Sequence, residues 1–255
     1  WLQPKETVHW LLAHPRITVE TYHHLERADY QANETHVTLK TNTGIRSHTS
    51  AWVIWANAEE AAQFSAMPLP LRPVRGQVTF LSAAQTVLVP VCGDAYIAPS
   101  SGGIATCGAT YQPNVSDLSP RPAENHDNVR RAQSLFAAPL ISDQMIAGQR
   151  VAIRASTPDY APVVGQLADA AVWREDLQGL RTDATYQPTQ PLSWISGQYV
   201  SAGQGSRGTL TAPMTAEIVI SQIMGEMSPV SEDVRNALAP DRFFRRGLIR
   251  GQDRT

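Results

Sequence analysis

Residues 203–208 run Gly-Gln-Gly-Ser-Arg-Gly, and Gly203, Gly205 and Gly208 meet the spacing G-x-G-x-x-G. Between a strand and a helix, such a turn lets the backbone approach a diphosphate and aims helix N–H groups at it. ISGQYVSA before it is patterned as a strand, and TAPMTAEIVISQIMG after it as a helix with Ala, Ile and Met on its buried face. A dinucleotide fingerprint also needs a second strand ending in an acidic ribose ligand about 20 residues on. Beyond the helix the chain instead reads GEMSPVSEDVRNALAPDRFFRRG, with Glu226 in a loop and no strand. The dinucleotide reading fails there. Two readings remain: a tight connection that glycine permits, or the same geometry used to face helix N–H groups toward an anion or an electron-rich ring.

Other reactive residue types are sparse. Cys92 and Cys107 are the only cysteines and form no C-x-x-C, so neither a disulfide framework nor a zinc site is expected, and a reducing cytoplasm is. Seven histidines include His23 and His24, none at metal-site spacing, so no metal is expected. The 255 residues carry a net charge of −2, which argues against a generally basic nucleic-acid binder but not against a local patch. With 42% hydrophobic and 17% charged residues the chain can bury a core. No apolar run is long enough for a membrane span. The chain opens on Trp1 within a helix-like pattern, as expected of a piece of a longer protein.

The elements that must position these residues can be read from periodicity and turn chemistry. Pro4 followed by KETVHWLLAH predicts a helix with Val8, Leu11 and Leu12 on one face. RITVETYH, THVTLKT and TSAWVIWAN read as strands, the last apolar enough to be buried on both faces, and AEEAAQF as a short helix. From Leu71 to Tyr111 the stretches RGQVTFLS, TVLVPVC, AYIAPS and IATCGATY predict an antiparallel sheet with turns between them. PNVSDLSPRPAENHD reads as a polar lead into a helix over NVRRAQSLFAA, and RVAIRAS as a strand. Residues 166–191 read as a surface loop, and Ser231 as the N-cap of a helix over SEDVRNAL.

Several of these stretches, in order, resemble the glycine and D-amino-acid oxidase superfamily. The nearest resemblance within it is to the C-terminal oxidoreductase half of bifunctional tRNA 5-methylaminomethyl-2-thiouridine biosynthesis proteins. Gly203 to Glu217 resembles that family's G-x-G-S-R-G-L-x-x-A-P-x-x-A-E. Gly225-Glu226 and Leu238 to Arg242 resemble its later G-E and L-x-P-x-R. Upstream, WLQP, VIWAN, RGQV, GDAYIAP and IRASTPDYAPVVG resemble successive family segments. Two positions depart from the pattern: Ala152 and Ala58 stand where the family commonly has Gly.

The resemblance implies an α+β, D-amino-acid-oxidase-like fold: a mostly antiparallel substrate sheet plus the C-terminal part of an FAD-binding α/β domain. It implies residues 1–66 as part of the FAD domain with connecting strands, 67–150 as the substrate domain, and 151–255 as the return to the FAD domain. A dinucleotide-binding part and a methyltransferase part would precede Trp1 in the same protein. The cofactor implied is FAD and the partner tRNA. The implied reaction removes the carboxymethyl group from carboxymethylaminomethyl-uridine at the wobble position. Arg154 would fork onto the substrate carboxylate, its alternative being an ion pair with Asp159. Tyr96 would bond the same carboxylate, wall the pocket, or simply be packed. Gln204, Gly205, Ser206, Arg207, Gly208, Thr209 and Leu210 would lie along the flavin, with Ala56 on the cofactor side and Leu25 touching the adenosine portion through its backbone. Arg242, Arg245, Arg246, Arg250 and Arg254 read as a solvated helix face, or as a contact with tRNA phosphates. The rival readings are a free glycine or amino-acid oxidase, and a non-catalytic fragment that binds tRNA or a partner.

Overall fold

The computed structural model of the chain describes residues 3–31, 34–82, 87–99 and 102–252. It divides into two units, one of Arg72–Arg154 and one of the segments up to Leu71 and from Ala155 onward. Pro at the helix start opens α1 (Pro4–Leu12), as the sequence predicts. Its apolar residues are not buried, however: Val8, Trp10, Leu11 and Leu12 are all exposed, Trp10 at 76%. The strand expected over RITVETYH is absent, because Tyr22 takes a left-handed φ of 61° that breaks an extended backbone. Pairing begins only with β1 (His24–Gln31), which joins β2 (Glu34–Thr41) and β3 (Gly44–Ser50) in an antiparallel sheet of that order. β4 (Val53–Trp55) is shorter than TSAWVIWAN predicts, and only Trp55 of its three residues is buried. A 3-10 helix over Ala58–Phe64 takes the place of the expected short helix.

In the 72–154 unit the expected antiparallel sheet forms from β5 (Arg72–Ser82), β6 (Val91–Cys92), β7 (Tyr96–Ala98), β8 (Ile104–Gly108) and the short β9 (Gln112–Pro113). α2 (Pro122–Gln133) comes next, then β10 (Ile146–Ser156), and the strands run in the order β10-β5-β8-β7-β6. α2 starts earlier than NVRRAQ predicts. Pro122 suits a first helical position, and Glu124 and Asn125, which look like surface residues, are buried against β5. An apolar cluster holds the other end of the helix, where Val129 and Ala132 meet Leu81, Ile97 and Cys107.

The polar half of that interface centres on Arg75, which is 0% exposed. Its Nη1 donates to both Glu124 carboxylate oxygens at 2.7 and 2.6 Å, its Nε to the Asp117 carbonyl and its Nη2 to the Ser119 carbonyl, each at 2.7 Å. Gln77 donates to Asn125 and to the Arg121 carbonyl at 2.8 Å, and Thr79 donates to Asn125 at 2.9 Å. Burial works against the Glu124 charge. The bonds from Arg75 and Thr110 outweigh it and hold this carboxyl below its ordinary range.

The second unit resumes with β11 (Val163–Gln166), α3 (Ala170–Asp176) and β12 (Gln198–Ala202). It closes with α4 (Gly208–Met224), α5 (Glu232–Leu238) and α6 (Arg242–Ile249). Its small sheet has the order β11-β12-β4, with β12 antiparallel to β11 and parallel to β4. The loop expected over 166–191 carries two short helical pieces in its first half and is irregular from Thr182 onward. Asp169 caps α3 by accepting from the Ala171 and Val172 N–H groups, and a 3-10 turn over Gln178–Arg181 continues it. Trp173, Leu177 and Leu180, at helical spacing among charged residues, are buried with Phe244 and Leu248. On α4 the buried residues are Thr215, Ile218, Val219 and Ser221, whereas Met214 and Met224 are exposed. Ser231 stands at the N-cap of α5 as expected, but its side chain makes no capping bond.

Asp159 takes α6 as its partner. Arg242, 5% exposed, forks onto it with Nε and Nη2 at 3.0 and 2.9 Å, and Arg246 adds a bond at 2.8 Å. Burial opposes ionisation of this carboxyl. The two arginines outweigh it and hold Asp159 well below the usual carboxylate range. Arg245 bonds Asp241 and lies over the Trp173 ring. The arginine run is a solvated face only in part: Arg246 and Arg250 are exposed, but Arg242 is buried, Arg242, Arg245 and Arg246 are in ion pairs, and Arg254 lies outside the described residues.

A depressed folded-state value means that this ion pair stabilises fully above the unfolded aspartate value near 4 and loses its contribution as pH falls below it. Asp159→Asn is expected to lower stability by about 2 kcal/mol at pH 7 and to flatten the loss below pH 4. Urea midpoints measured from pH 3 to 7 check both effects.

Candidate active site

β12 and β4 run parallel with Gln198 beside Val53 and Val200 beside Trp55, so both strands leave the sheet at one end. The carboxyl ends of parallel strands are where α/β sheets bind ligands. Buried Gln198 ties this region together, accepting from the Trp55 indole at 2.9 Å and donating to Thr35. Ala56 is the exposed residue just after β4. Ala58, where the family pattern has Gly, holds a left-handed φ of 57°, a conformation that glycine adopts without steric cost.

The glycine turn comes directly after β12. Gly203 (φ 70°) is packed tight, since a Cβ there would meet Thr157 Cγ2 at 2.9 Å and Leu71 Cδ2 at 3.1 Å. Gly205 (φ 57°) is open, its nearest neighbour being Ser156 Oγ at 4.0 Å. Gln204 turns its side chain into the fold, donating to Thr215 at 3.0 Å and accepting from Thr211 at 2.6 Å. Only its backbone remains for a ligand. Gly205–Arg207 form a 3-10 turn, and α4 starts at Gly208 with no side-chain capping bond at Arg207. Side chains therefore leave the first N–H groups of α4 unmet. Ser206, Arg207, Thr209 and Leu210 lie at least partly open to solvent, Leu210 at 78%. Leu25, by contrast, packs its side chain against the core around Trp55 and Val200, while its backbone pairs opposite Leu39.

Arg154 and Tyr96 belong to the sheet of the 72–154 unit. Tyr96 and Val78 both stand opposite Gly108 of β8, so the three share one face of the sheet. The Arg154 guanidinium lies over Gly76 of β5: a Cβ on Gly76 would fall 2.9 Å from its Cζ and Nη2, and nearer still to Nη1. Burial pushes the Tyr96 phenol up, and the positive charge of Arg154 pulls it partly back, so the two groups sense each other. The alternative partner for Arg154 is taken, because Asp159 is held by Arg242 and Arg246. Among the described residues Arg154 has no ion pair. Sequence reasoning passed over Gly76 and Gly108. The signal that could have found them was a glycine inside a strand pattern, which marks close approach of another group.

Comparison with known proteins fixes the family. The profile described as DAO, FAD dependent oxidoreductase, matches residues 1–222. The chain belongs to that family. It is 35% identical over 268 residues to the tRNA 5-methylaminomethyl-2-thiouridine biosynthesis bifunctional protein of Pseudomonas fluorescens, covering 99% of this chain and 39% of the relative. It is 34% identical to the protein of the same name from Chromobacterium violaceum, covering 98% and 39%. The chain thus spans about two fifths of the length of these curated relatives. Among solved structures, glycine oxidase from Geobacillus kaustophilus has a TM-score of 0.67 at 20% identity, covering 89% of this chain and 54% of that one. L-proline dehydrogenase from P. horikoshii has a TM-score of 0.62 at 20% identity, covering 88% and 54%. These two share the fold, which is the expected α+β, D-amino-acid-oxidase-like one. No helix among the described residues is long and apolar enough to cross a membrane, and no cluster of metal ligands occurs among them.

The two glycines of the turn differ in what they tolerate. Gly203→Ala is expected to cost about 2–3 kcal/mol, because a left-handed alanine would also press on Thr157 and Leu71. Gly205→Ala should cost only about 1 kcal/mol, the backbone term alone. Urea denaturation of the two variants side by side checks the order.

Proposed function

We propose that this chain is the substrate-side and flavin-capping part of an FAD-dependent amine oxidoreductase acting on tRNA. Its substrate is carboxymethylaminomethyl-(2-thio)uridine at the wobble position, from which it removes the carboxymethyl group and leaves aminomethyl-uridine for methylation. The observation that carries this reading is Arg154, a half-buried guanidinium with no carboxylate partner among the described residues, set against a glycine and within electrostatic reach of Tyr96. Such a fork suits a carboxylate that arrives with the substrate. The names of the relatives supply the tRNA base, and the share of their length outside this chain leaves room for the dinucleotide-binding and methyltransferase parts.

The glycine turn fits the edge of a flavin ring. Gly205 presents backbone without a side chain, Ser206, Arg207, Thr209 and Leu210 are open to solvent beside it, and the start of α4 offers N–H groups to a partially negative edge. Ala56 stands at the same end of the sheet. When bound, FAD would supply the two-electron oxidation of the N–CH2 bond. In substrate terms, R–NH–CH2–COO⁻ loses a hydride and the amine proton to become R–N=CH–COO⁻. One water then releases R–NH2 and glyoxylate.

The protein's residues position rather than react. Arg154 binds the carboxylate and fixes the methylene beside it. Tyr96, a phenol that is protonated at pH 7 already at its ordinary value, donates its O–H to the same carboxylate. The arginines of α6 give the tRNA contact no support, since Arg242, Arg245 and Arg246 are engaged in ion pairs. A cytoplasmic setting agrees with the substrate and with the free Cys92 and Cys107 thiols.

The test uses the full-length protein supplied with FAD. Visible absorption should show flavin bands, and tRNA bearing the carboxymethylaminomethyl base should release one glyoxylate per base. Arg154→Ala should lower kcat/KM by about a hundredfold or more, two charge-assisted bonds being lost, while the flavin bands persist. A full-length protein that takes up no FAD overturns the proposal. Turnover of free glycine in preference to modified tRNA replaces it with an amino-acid oxidase.

A further inference from the structure

We infer that Gly76 is a positioning residue for carboxylate recognition: the missing side chain in the middle of β5 is the seat on which the Arg154 guanidinium lies. The inference rests on the carboxylate-binding role proposed for Arg154. An interior strand glycine weakens a sheet, so its presence calls for a cause. Here φ is not that cause, because Gly76 does not take a left-handed backbone conformation. Space is. A Cβ would lie 2.9 Å from both Cζ and Nη2 of Arg154, with Nη1 closer still, a distance that real Cβ atoms do not show. The conflict is with the planar, charged head of the side chain and not with its stem. Any larger residue at 76 would therefore lift or turn the guanidinium fork.

The neighbouring positions support this reading. Gly76 sits between Arg75 and Gln77, both fully buried on the opposite face and bonded to α2. Those bonds fix the strand, so β5 cannot retreat to make room for a Cβ. The adjustment must fall on Arg154. Gly108 removes a second side chain from the same face, opposite both Val78 and Tyr96. At Gly76 and Gly108 the floor beside the guanidinium is thus bare backbone, flanked by Val78 and Tyr96. A guanidinium held against bare backbone is already restrained before a carboxylate arrives, so it loses little entropy when it binds one.

Gly76→Ala should weaken carboxylate binding through Arg154 while sparing flavin binding. The probe is N-acetylglycine, which presents a carboxymethyl group on nitrogen, titrated into FAD-loaded full-length protein and followed by calorimetry. Kd is expected to rise about tenfold in Gly76→Ala, and by more in Arg154→Ala. In the Arg154→Ala background, Gly76→Ala should weaken binding no further, because a residue that acts through Arg154 has nothing left to act on. Flavin absorbance should be unchanged in all three.

If Arg154→Ala binds the probe as the wild type does, the functional reading itself fails. If Arg154→Ala weakens binding and Gly76→Ala does not, the Gly76 assignment alone is overturned. Additive losses in the double variant overturn it as well. Should Gly76→Ala not fold, the melting temperature decides: removing the guanidinium in Gly76→Ala/Arg154→Ala should restore folding, and an equally unfolded double variant refutes the steric account.

Discussion

Asp159 is the small centre on which the 155–252 region depends. Its carboxylate receives Arg242 and Arg246 from α6. The same carboxylate accepts from Thr157 at 3.1 Å, and Thr157 also donates to the Ala161 carbonyl at 2.7 Å. Arg242 reaches that carbonyl too, at 2.8 Å, along with those of Leu238 and Ala239. One buried guanidinium thus closes the end of α5, the start of α6 and the loop that leads into β11. The loop in turn sets Thr157, whose methyl group lies against Gly203. The glycine turn is held in shape from behind by an ion pair on the far side of Thr157, with no bond to the turn itself.

The 72–154 unit solves a related problem on a single strand. β5 must carry a polar interface to α2 on one face and a cleared floor on the other. Period-two alternation allows both. Arg75, Gln77 and Thr79 take the helix side, and Gly76 and Phe80 take the other, over which the Arg154 guanidinium reaches from the neighbouring β10. A buried arginine–glutamate pair is weak evidence of stability, since desolvation offsets much of its attraction. Its value here is specificity: Nε, Nη1 and Nη2 of Arg75 each have a fixed acceptor, so helix, strand and the 114–121 segment can meet in one way only.

The parts of the fold legible in the sequence are those that local chemistry determines. The sheet from Leu71 to Tyr111, the strand–turn–helix at Gly203 and the Pro-started helix all come from turn residues and periodicity. The errors arise where distant groups decide. The burial of Trp173, Leu177 and Leu180 was hidden because charged neighbours mask a helical stripe of three residues. α2 begins early because Glu124 and Asn125 gain buried partners on β5, which composition reads as surface. The arginine-rich end looked solvated because sequence separates Arg242 from Asp159, although the fold brings them together. Arg154 was legible by pattern, whereas its seat on Gly76 was not, because β5 and β10 are far apart along the chain.

The alternation on β5 also bears on how faithfully the strand is placed during folding. A slip of one residue would exchange its two faces. Arg75 would then emerge beside Arg154, setting two guanidinium groups against each other, while Glu124 would lose its buried partner and keep only Arg121, at 3.4 Å. The misplaced strand would incur repulsion on one side and a weakened ion pair on the other. The cleared floor and the buried ion pair act together as a register lock, and the strand can lie in the sheet in one alignment only.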